Sequence, residues 1–401
     1  MNLKRSTPLL LSLAAVLSVN AADVASSVPN SADAHAEFGL KLFGKLPATG
    51  NAIVSPQSVA TALGMTSLGA GGDTAAAFQS TLYPGLAPEA YLSDARRVRD
   101  SLAKTPNEGL SIKMTNALWM QDGYAFKAPF LESCTRYYGA EPFRLDFANA
   151  ADSSRVRINK WVGEQTNGMI KDLLPPRSIT ELTRMVLTNT IWFKGDWVTP
   201  FTKERTGDAT FTKASGEKVT VPMMRGKESS FAYAENDLMQ VVEMPYSGKR
   251  LCMTLLLPKA PNTEALEKKL APAFLKQVLS SMNEEKVRVN LPRFKVETSQ
   301  ELSKPLTDMG LGVAFTPGKA DFSGMNGVKD DLYIARVQHK AVVDVNETGT
   351  EAAAATAVIV ATRAMPMSPL VNCNHPFLFL IRDRETGEIL FLGRIDDPTA
   401  K

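Results

Sequence analysis

The sequence predicts a single large α+β domain. Three observations carry that reading: helical patterns gather before about residue 180, strand patterns dominate from about residue 183, and no repeat or long linker divides the chain. With 44% hydrophobic and 22% charged residues over 401 positions, collagen, disordered tails and coiled coils are excluded. A formal net charge of +3 favours neither nucleic acid nor membrane as a partner.

In chain order, Lys4 and Arg5 precede an apolar run, 9–19, and Val19-Asn20-Ala21 offers small residues for cleavage. Residues 1–21 therefore read as a secretory signal peptide, followed by a flexible Ser/Asn/Ala-rich spacer, 22–33, and a domain over 34–401. The apolar run is about half of the roughly 20 residues that a membrane span needs. Phe38, Leu40, Leu42, Phe43 and Leu46 place a helix over 34–46. Ser55-Pro56 supplies a cap and a first-turn proline for a helix over 57–68, which the glycines at 69–72 terminate. Helices follow at 73–82 and 88–104, a strand at 110–120, and helices at 128–138 and 152–173. Strands are expected at 184–194, 210–213, 218–223, 240–246, 251–257, 286–296 and 332–345, with helical patterns at 263–282 and 300–309 between them. Two strands, 377–383 and 389–395, close the chain around a Thr386-Gly387 turn.

The catalytic inventory is thin. Three histidines, His35, His339 and His375, leave little material for a metal cage or a hydrolase triad, and no G-x-S-x-G, H-E-x-x-H, CxxC, P-loop or G-x-G-x-x-G motif occurs. Cys134, Cys252 and Cys373 are too few for a disulfide framework and read as ordinary buried thiols. No cofactor is required by any of these residues, and a hydrolase would need a nucleophile with a base that the sequence does not offer.

One segment is unusual. Eleven residues between Glu351 and Arg363 carry no charge, proline or glycine. Their alanines favour helix while Val358, Ile359 and Val360 favour strand, so local propensity does not select one state. As a strand, the segment puts Thr350, Ala352, Ala354, Thr356, Val358 and Val360 on one face and Glu351 on the other. Glu351 must face water, so the even-numbered face is the one that can enter a core. Read this way, it is a strand held outside its sheet, with Gly349 and Thr350 as a hinge and Pro366 and Pro369 as an irregular exit. An Ala-rich surface helix or flexible loop is the competing reading.

Asn346-Glu347-Thr348-Gly349-Thr350-Glu351-Ala352-Ala353-Ala354-Ala355 resembles the reactive-loop hinge of inhibitory serpins. NAIVSPQSVATAL (51–63), NKWVGEQTNGMIKDL (159–173), NTIWFKGDW (189–197), LPRFKVE (291–297), ADFSGM (320–325), QHKAVVDVNE (338–347), HPFLFLIRD (375–383) and FLGRIDDP (391–398) are similar to family segments in the family's order. The resemblance implies three β-sheets, about nine helices and an exposed reactive loop at about 347–371. It also implies a metastable inhibitor whose loop, once cut, inserts into the main sheet and drags the acylated protease with it. The scissile bond in such proteins usually follows the seventeenth residue counted from Glu347, which is Arg363, giving Arg363-Ala364 and a trypsin-like serine protease as covalent 1:1 partner. Met367-Ser368 is an alternative bond for chymotrypsin- or elastase-like proteases. It lies four residues farther on, roughly 13 Å of extended chain, and would leave slack after insertion.

By the same resemblance Ser55, Ser58, Asn189 and His339 form a polar shutter beneath the main sheet, with His339 hydrogen-bonding across the parting strands. Glu347 pairs with Arg293, and Trp197 lies under the point of insertion. Arg96, Arg97, Arg99 and Lys104 match a helix that binds heparin-like polyanions in some serpins, although Asp94 and Asp100 dilute the cluster. Asn346 heads a formal glycosylation sequon and is expected to stay unmodified. The expected state is a monomer, with loop–sheet polymerisation as a hazard of the same uncharged strand. A non-inhibitory carrier, chaperone or storage protein of the same fold is the alternative, usually marked by a charged, bulky or proline residue in the hinge. None stands at 350 or 352–355.

Overall fold

A computed structural model describes residues 30–105, 107–350 and 368–400. Among them are ten α-helices: α1 (Ser31–Phe43), α2 (Pro56–Ser67), α3 (Gly72–Leu82), α4 (Pro88–Leu102), α5 (Ala128–Tyr138), α6 (Ala151–Gln165), α7 (Glu264–Glu267), α8 (Pro272–Ser280), α9 (Ser303–Leu306) and α10 (Ser323–Asn326). The first helix starts three residues before the expected one, inside the presumed spacer. The Asn30 side chain accepts from the Asp33 amide at 2.9 Å, and Asp94 of α4 takes both the amide and the hydroxyl of Ser31 at 2.7 Å. Helix α6 is shorter than its apolar pattern. Asn167 (φ 50°) and Gly168 (φ 76°) turn left-handed behind it, and the Thr166 hydroxyl donates back to Val162 and accepts from the Ile170 amide.

Six strands form one sheet in the order β11 (Phe294–Glu301), β12 (Gln338–Val345), β13 (Gly349–Thr350), β4 (Met185–Asp196), β2 (Leu110–Gln121) and β3 (Glu141–Leu145). It is antiparallel except where β2 meets β3. The ten-stranded sheet runs β1 (Ala52–Val54), β16 (Ile389–Ile395), β15 (Phe377–Asp383), β9 (Leu251–Pro258), β8 (Met239–Pro245), β7 (Ser229–Glu235), β10 (Asn283–Pro292), β6 (Lys218–Arg225) and β5 (Thr206–Thr212), with β14 (Leu370–Asn372) parallel to β10. The expected third sheet is therefore not separate among the described residues. Strand β10 pairs through 283–287 with β7 and through 290–292 with β6, and so joins two patches into one network. The predicted strand over 286–296 divides at Arg293 into β10 and β11, which enter different sheets.

The two sheets face each other across a core that includes Ile191, Phe193, Val343, Leu255 and Phe379. A second core places Phe38, Leu42, Val59 and Leu63 of α1 and α2 against Leu380 and Leu392. Each such side chain contributes about 1.5–3 kcal/mol by leaving water. Helix α6 covers the outer face of the six-stranded sheet, where Trp119 stacks on Phe143 at 4.4 Å and meets the edge of Trp161 at 5.4 Å. Cys134, Cys252 and Cys373 are free and buried, and burial pushes the thiols of Cys134 and Cys252 up to about 12.

Candidate functional site

The six-stranded sheet has an interruption at its centre. Strands β12 and β4 are bridged by β13 alone among the described residues: Thr350 pairs with Val345 on one side and Gly195 on the other, and Gly349 pairs with Asp196. Farther down, residues 185–190 of β4, Ser58, Val59 and Ala62 of α2, and residues 338–340 of β12 line a cavity of about 470 Å³.

The two residues of β13 are held by groups distant in sequence. The Thr350 hydroxyl lies 3.0 Å from that of Tyr246, whose ring stacks on Trp197 at 4.5 Å. Trp197 also donates its indole N–H to the Asn346 carbonyl at 3.0 Å and its amide to the Thr348 carbonyl at 2.7 Å, while the Phe201 amide donates to the Glu347 carbonyl at 2.9 Å. Thr350 is 3% exposed on the inner face, the side that the alternation of 350, 352 and 354 assigns to the core. Gly349 is there for space as much as for flexibility. A Cβ on it would lie 1.9 Å from the Gly195 carbonyl oxygen, so only glycine lets the two backbones approach. The Asn346 side chain accepts from the amide and hydroxyl of Thr348 at 3.1 and 2.9 Å, folding the sequon into its own turn.

Arg293, between β10 and β11, donates to the buried carboxylate of Glu347. Burial works against that carboxylate's charge, but the Arg293 guanidinium and a backbone amide outweigh it and hold the group below the ordinary carboxylate range. A lowered carboxylate pKa stabilises the fold above the unfolded value, near 4.3, and this contribution is lost as pH falls through the folded value. Glu347→Gln is therefore expected to cost about 1–2 kcal/mol at pH 7, the range for hydrogen bonds to partly exposed charged groups. Urea unfolding at pH 7 and then at falling pH should show the full difference at pH 7 and its progressive loss below the unfolded value. An unchanged midpoint at pH 7 would mean that the pair adds nothing.

Of the four residues expected in the shutter, Ser58, Asn189 and His339 line the cavity; His339, Ser55 and Ser58 are joined by hydrogen bonds, and Asn189 bonds to a different partner. His339 of β12 is buried and accepts the Ser55 amide proton on Nε2 at 3.1 Å, while the Ser55 hydroxyl caps the Ser58 amide at 3.2 Å. Asn189 of β4 donates to Asn116 of β2 at 2.5 Å, and Asn116 donates to the Tyr138 carbonyl at 2.6 Å. His339 thus ties β12 to the start of α2 and, among the described residues, forms no hydrogen bond across the gap. The Asn189 Oδ1 is buried without a hydrogen-bond partner among the described residues. Burial alone lowers the His339 pKa to about 4.

On α4 the basic residues are largely neutralised: Arg96 and Arg99 reach Asp100 at 3.6 and 2.6 Å, and Arg97 reaches Asp94 at 2.6 Å. Lys104 follows the helix end. Glu351 to Ala355, Arg363, Ala364 and Met367 fall outside the described residues; Ser368 donates to Glu228. Sequence reasoning missed Tyr246, Asn116 and Gly195, for which no local pattern gives a signal.

Three comparisons agree with this geometry. A family model described as "Serpin (serine protease inhibitor)" matches residues 33–398. The chain is 38% identical over 376 residues to the leukocyte elastase inhibitor of Equus caballus, covering 91% of this chain and 98% of that one. It is 41% identical over 354 residues to an uncharacterised serpin-like protein of Thermococcus kodakarensis, covering 87% and 81% respectively. The native-state crystal structure of the thermophilic serpin tengpin superposes with a TM-score of 0.81 at 29% identity, over 91% of this chain and 93% of that one.

Proposed function

Because this chain belongs to the serpin family of serine protease inhibitors, we propose that it is a secreted suicide-type inhibitor of trypsin-like serine proteases, which cut it at Arg363-Ala364. The protease serine adds to the Arg363 carbonyl, the Ala364 amine leaves with a proton, and the ester that remains is carried off as residues 350–362 insert, before water reaches it. The chain itself supplies no catalytic residue. An arginine at the cut suits a specificity pocket with a buried carboxylate, and residues 1–21 supply the secretory leader.

The observation that supports the trap is the register of β13. A strand continuing it would set Ala352 between Phe193 and Val343, Ala354 between Ile191 and Ala341, and Thr356 between Asn189 and His339. Small apolar side chains meet apolar neighbours, and the one hydroxyl meets the polar pair, including the unpartnered Asn189 oxygen. Glu351 would fall on the outer face between Lys194 and Asp344.

Mixing mature protein with excess trypsin tests this reading. A complex that survives denaturing electrophoresis, with a released peptide beginning at Ala364, is expected. Cleavage without a complex would make the chain a substrate or carrier. A second reading, cleavage at Met367-Ser368 by an elastase-like enzyme, draws support from the leukocyte elastase inhibitor among the relatives. A released peptide beginning at Ser368 would establish it instead.

A further inference from the structure

The face of the ten-stranded sheet beside the loop carries four cations at neighbouring positions. Arg205 ends the 3-10 turn (Lys203–Arg205) that leads into β5 and reaches across to the end of β6 at Arg225, and the pairing of the Gly226 amide with the Val289 carbonyl at 2.8 Å puts Lys227 beside Arg288. Arg205 is fixed by donating to the carbonyls of Arg225 and Gly226 at 3.1 and 3.3 Å, and Arg225 donates to the Asp208 carbonyl at 3.3 Å. These are backbone acceptors. None of the four cations has a carboxylate within ion-pair distance among the described residues, whereas Arg293 nearby has Glu347 and the α4 arginines have Asp94 and Asp100. Neighbouring strands lie about 4.8 Å apart, so like charges set side by side repel. The nearby acid Glu228 takes the Ser368 hydroxyl.

We propose that this face is a second contact surface for the target protease, fitted to an enzyme whose active-site rim is acidic; the proposal rests on the inhibitory reading above. Position argues for a protease over a free polyanion. The Arg288 amide donates to the Pro369 carbonyl at 2.9 Å, two residues beyond the undescribed segment, and Arg293 anchors Glu347 at its other end. Arg363 is six residues from Pro369, at most roughly 20 Å of extended chain, so an enzyme holding it in its cleft comes close to this surface. Long-range attraction there raises the association rate and leaves the trapping step unchanged.

Anionic and cationic trypsin share one specificity and differ in surface charge, which makes them the probes. The inhibition rate with anionic trypsin is expected to exceed that with cationic trypsin by about tenfold at low ionic strength and to converge with it as salt rises. The double variant Lys227→Glu/Arg288→Glu should remove that advantage, and the milder Lys227→Gln/Arg288→Gln should remove part of it, with the number of inhibitor molecules consumed per trapped enzyme unchanged in both. Equal rates for the two trypsins, or rates indifferent to these substitutions, would overturn this surface while leaving the inhibitor intact. Loss of heparin binding in the variants with both trypsin rates unchanged would also overturn it, in favour of a polyanion site. No complex with either enzyme would remove the inhibitory reading together with this one.

Discussion

Thr350→Arg is expected to convert the chain from an inhibitor into a substrate. Thr350 is the first core-facing residue of the strand that inserts under the proposed mechanism, 3% exposed, wedged between Val345 and Gly195 with its hydroxyl 3.0 Å from Tyr246. A guanidinium there must either give up water without a partner, at a cost of several kcal/mol, or hold the strand out of the sheet. Insertion then stalls at its first step and water resolves the acyl-enzyme. Trypsin should cut Arg363-Ala364 at an undiminished rate, while the gel-stable complex falls by at least about tenfold, the equivalent of roughly 1.4 kcal/mol in favour of hydrolysis. Glu351→Arg is the control. It changes a neighbouring residue by a larger charge step, but on the face that the register turns outward, and should leave the complex intact. Equal loss in both variants, or a complex surviving in Thr350→Arg, would show that the alternation does not govern insertion.

The second large effect is a loss of stability on mild acidification that depends on His339. The imidazole is neutral in the fold because it is buried, with a pKa lowered to about 4, whereas the unfolded chain binds a proton below about 6.5. The unfolded state therefore gains protons first as pH falls from 6.5 to 4, and stability declines across that window by up to about 3 kcal/mol. Below pH 4 this group adds nothing further. In the fold Nε2 goes on accepting from the Ser55 amide across that window, and β12 loses this tie to α2 only as pH falls through about 4. Denaturant unfolding of the native state at pH 7, 5.5 and 4.5 should show the slope, and His339→Gln should flatten it. A slope unchanged in that variant would assign the acid sensitivity elsewhere; the Glu347 carboxylate titrates in a lower window and is separable by pH.

Legibility in the sequence followed the range of the forces involved. Helices α2 and α5 carry proline in the first turn, α2 behind a Ser55 cap, and their apolar periodicity could be read directly. The overextended α6 shows the limit of that method: an apolar pattern continues past Gln165, but the backbone is turned by two left-handed residues whose effect on length the pattern does not record. Strands β3 and β7 escaped notice because each is only partly buried, with one and two buried residues respectively, so the apolar signal is weak.

By itself the sequence determined the family, the charge-free run from 352 to 362, and the parity that turns Thr350 inward, because side-chain alternation along a strand is a local property. The tertiary structure decided what that parity meets. Tyr246 and Thr350 are 104 residues apart, Asn116 and Asn189 are 73 apart, and the close approach of Gly349 to Gly195 exists only once β4 and β12 lie on either side of β13. It also decided that His339 accepts from the Ser55 amide at the start of α2, and that β10 joins two sheet patches into one. Hydrogen-bond partners and backbone spacing across a sheet are set by register between distant strands. That register depends on which apolar faces are buried together, and no local stretch of the chain records it.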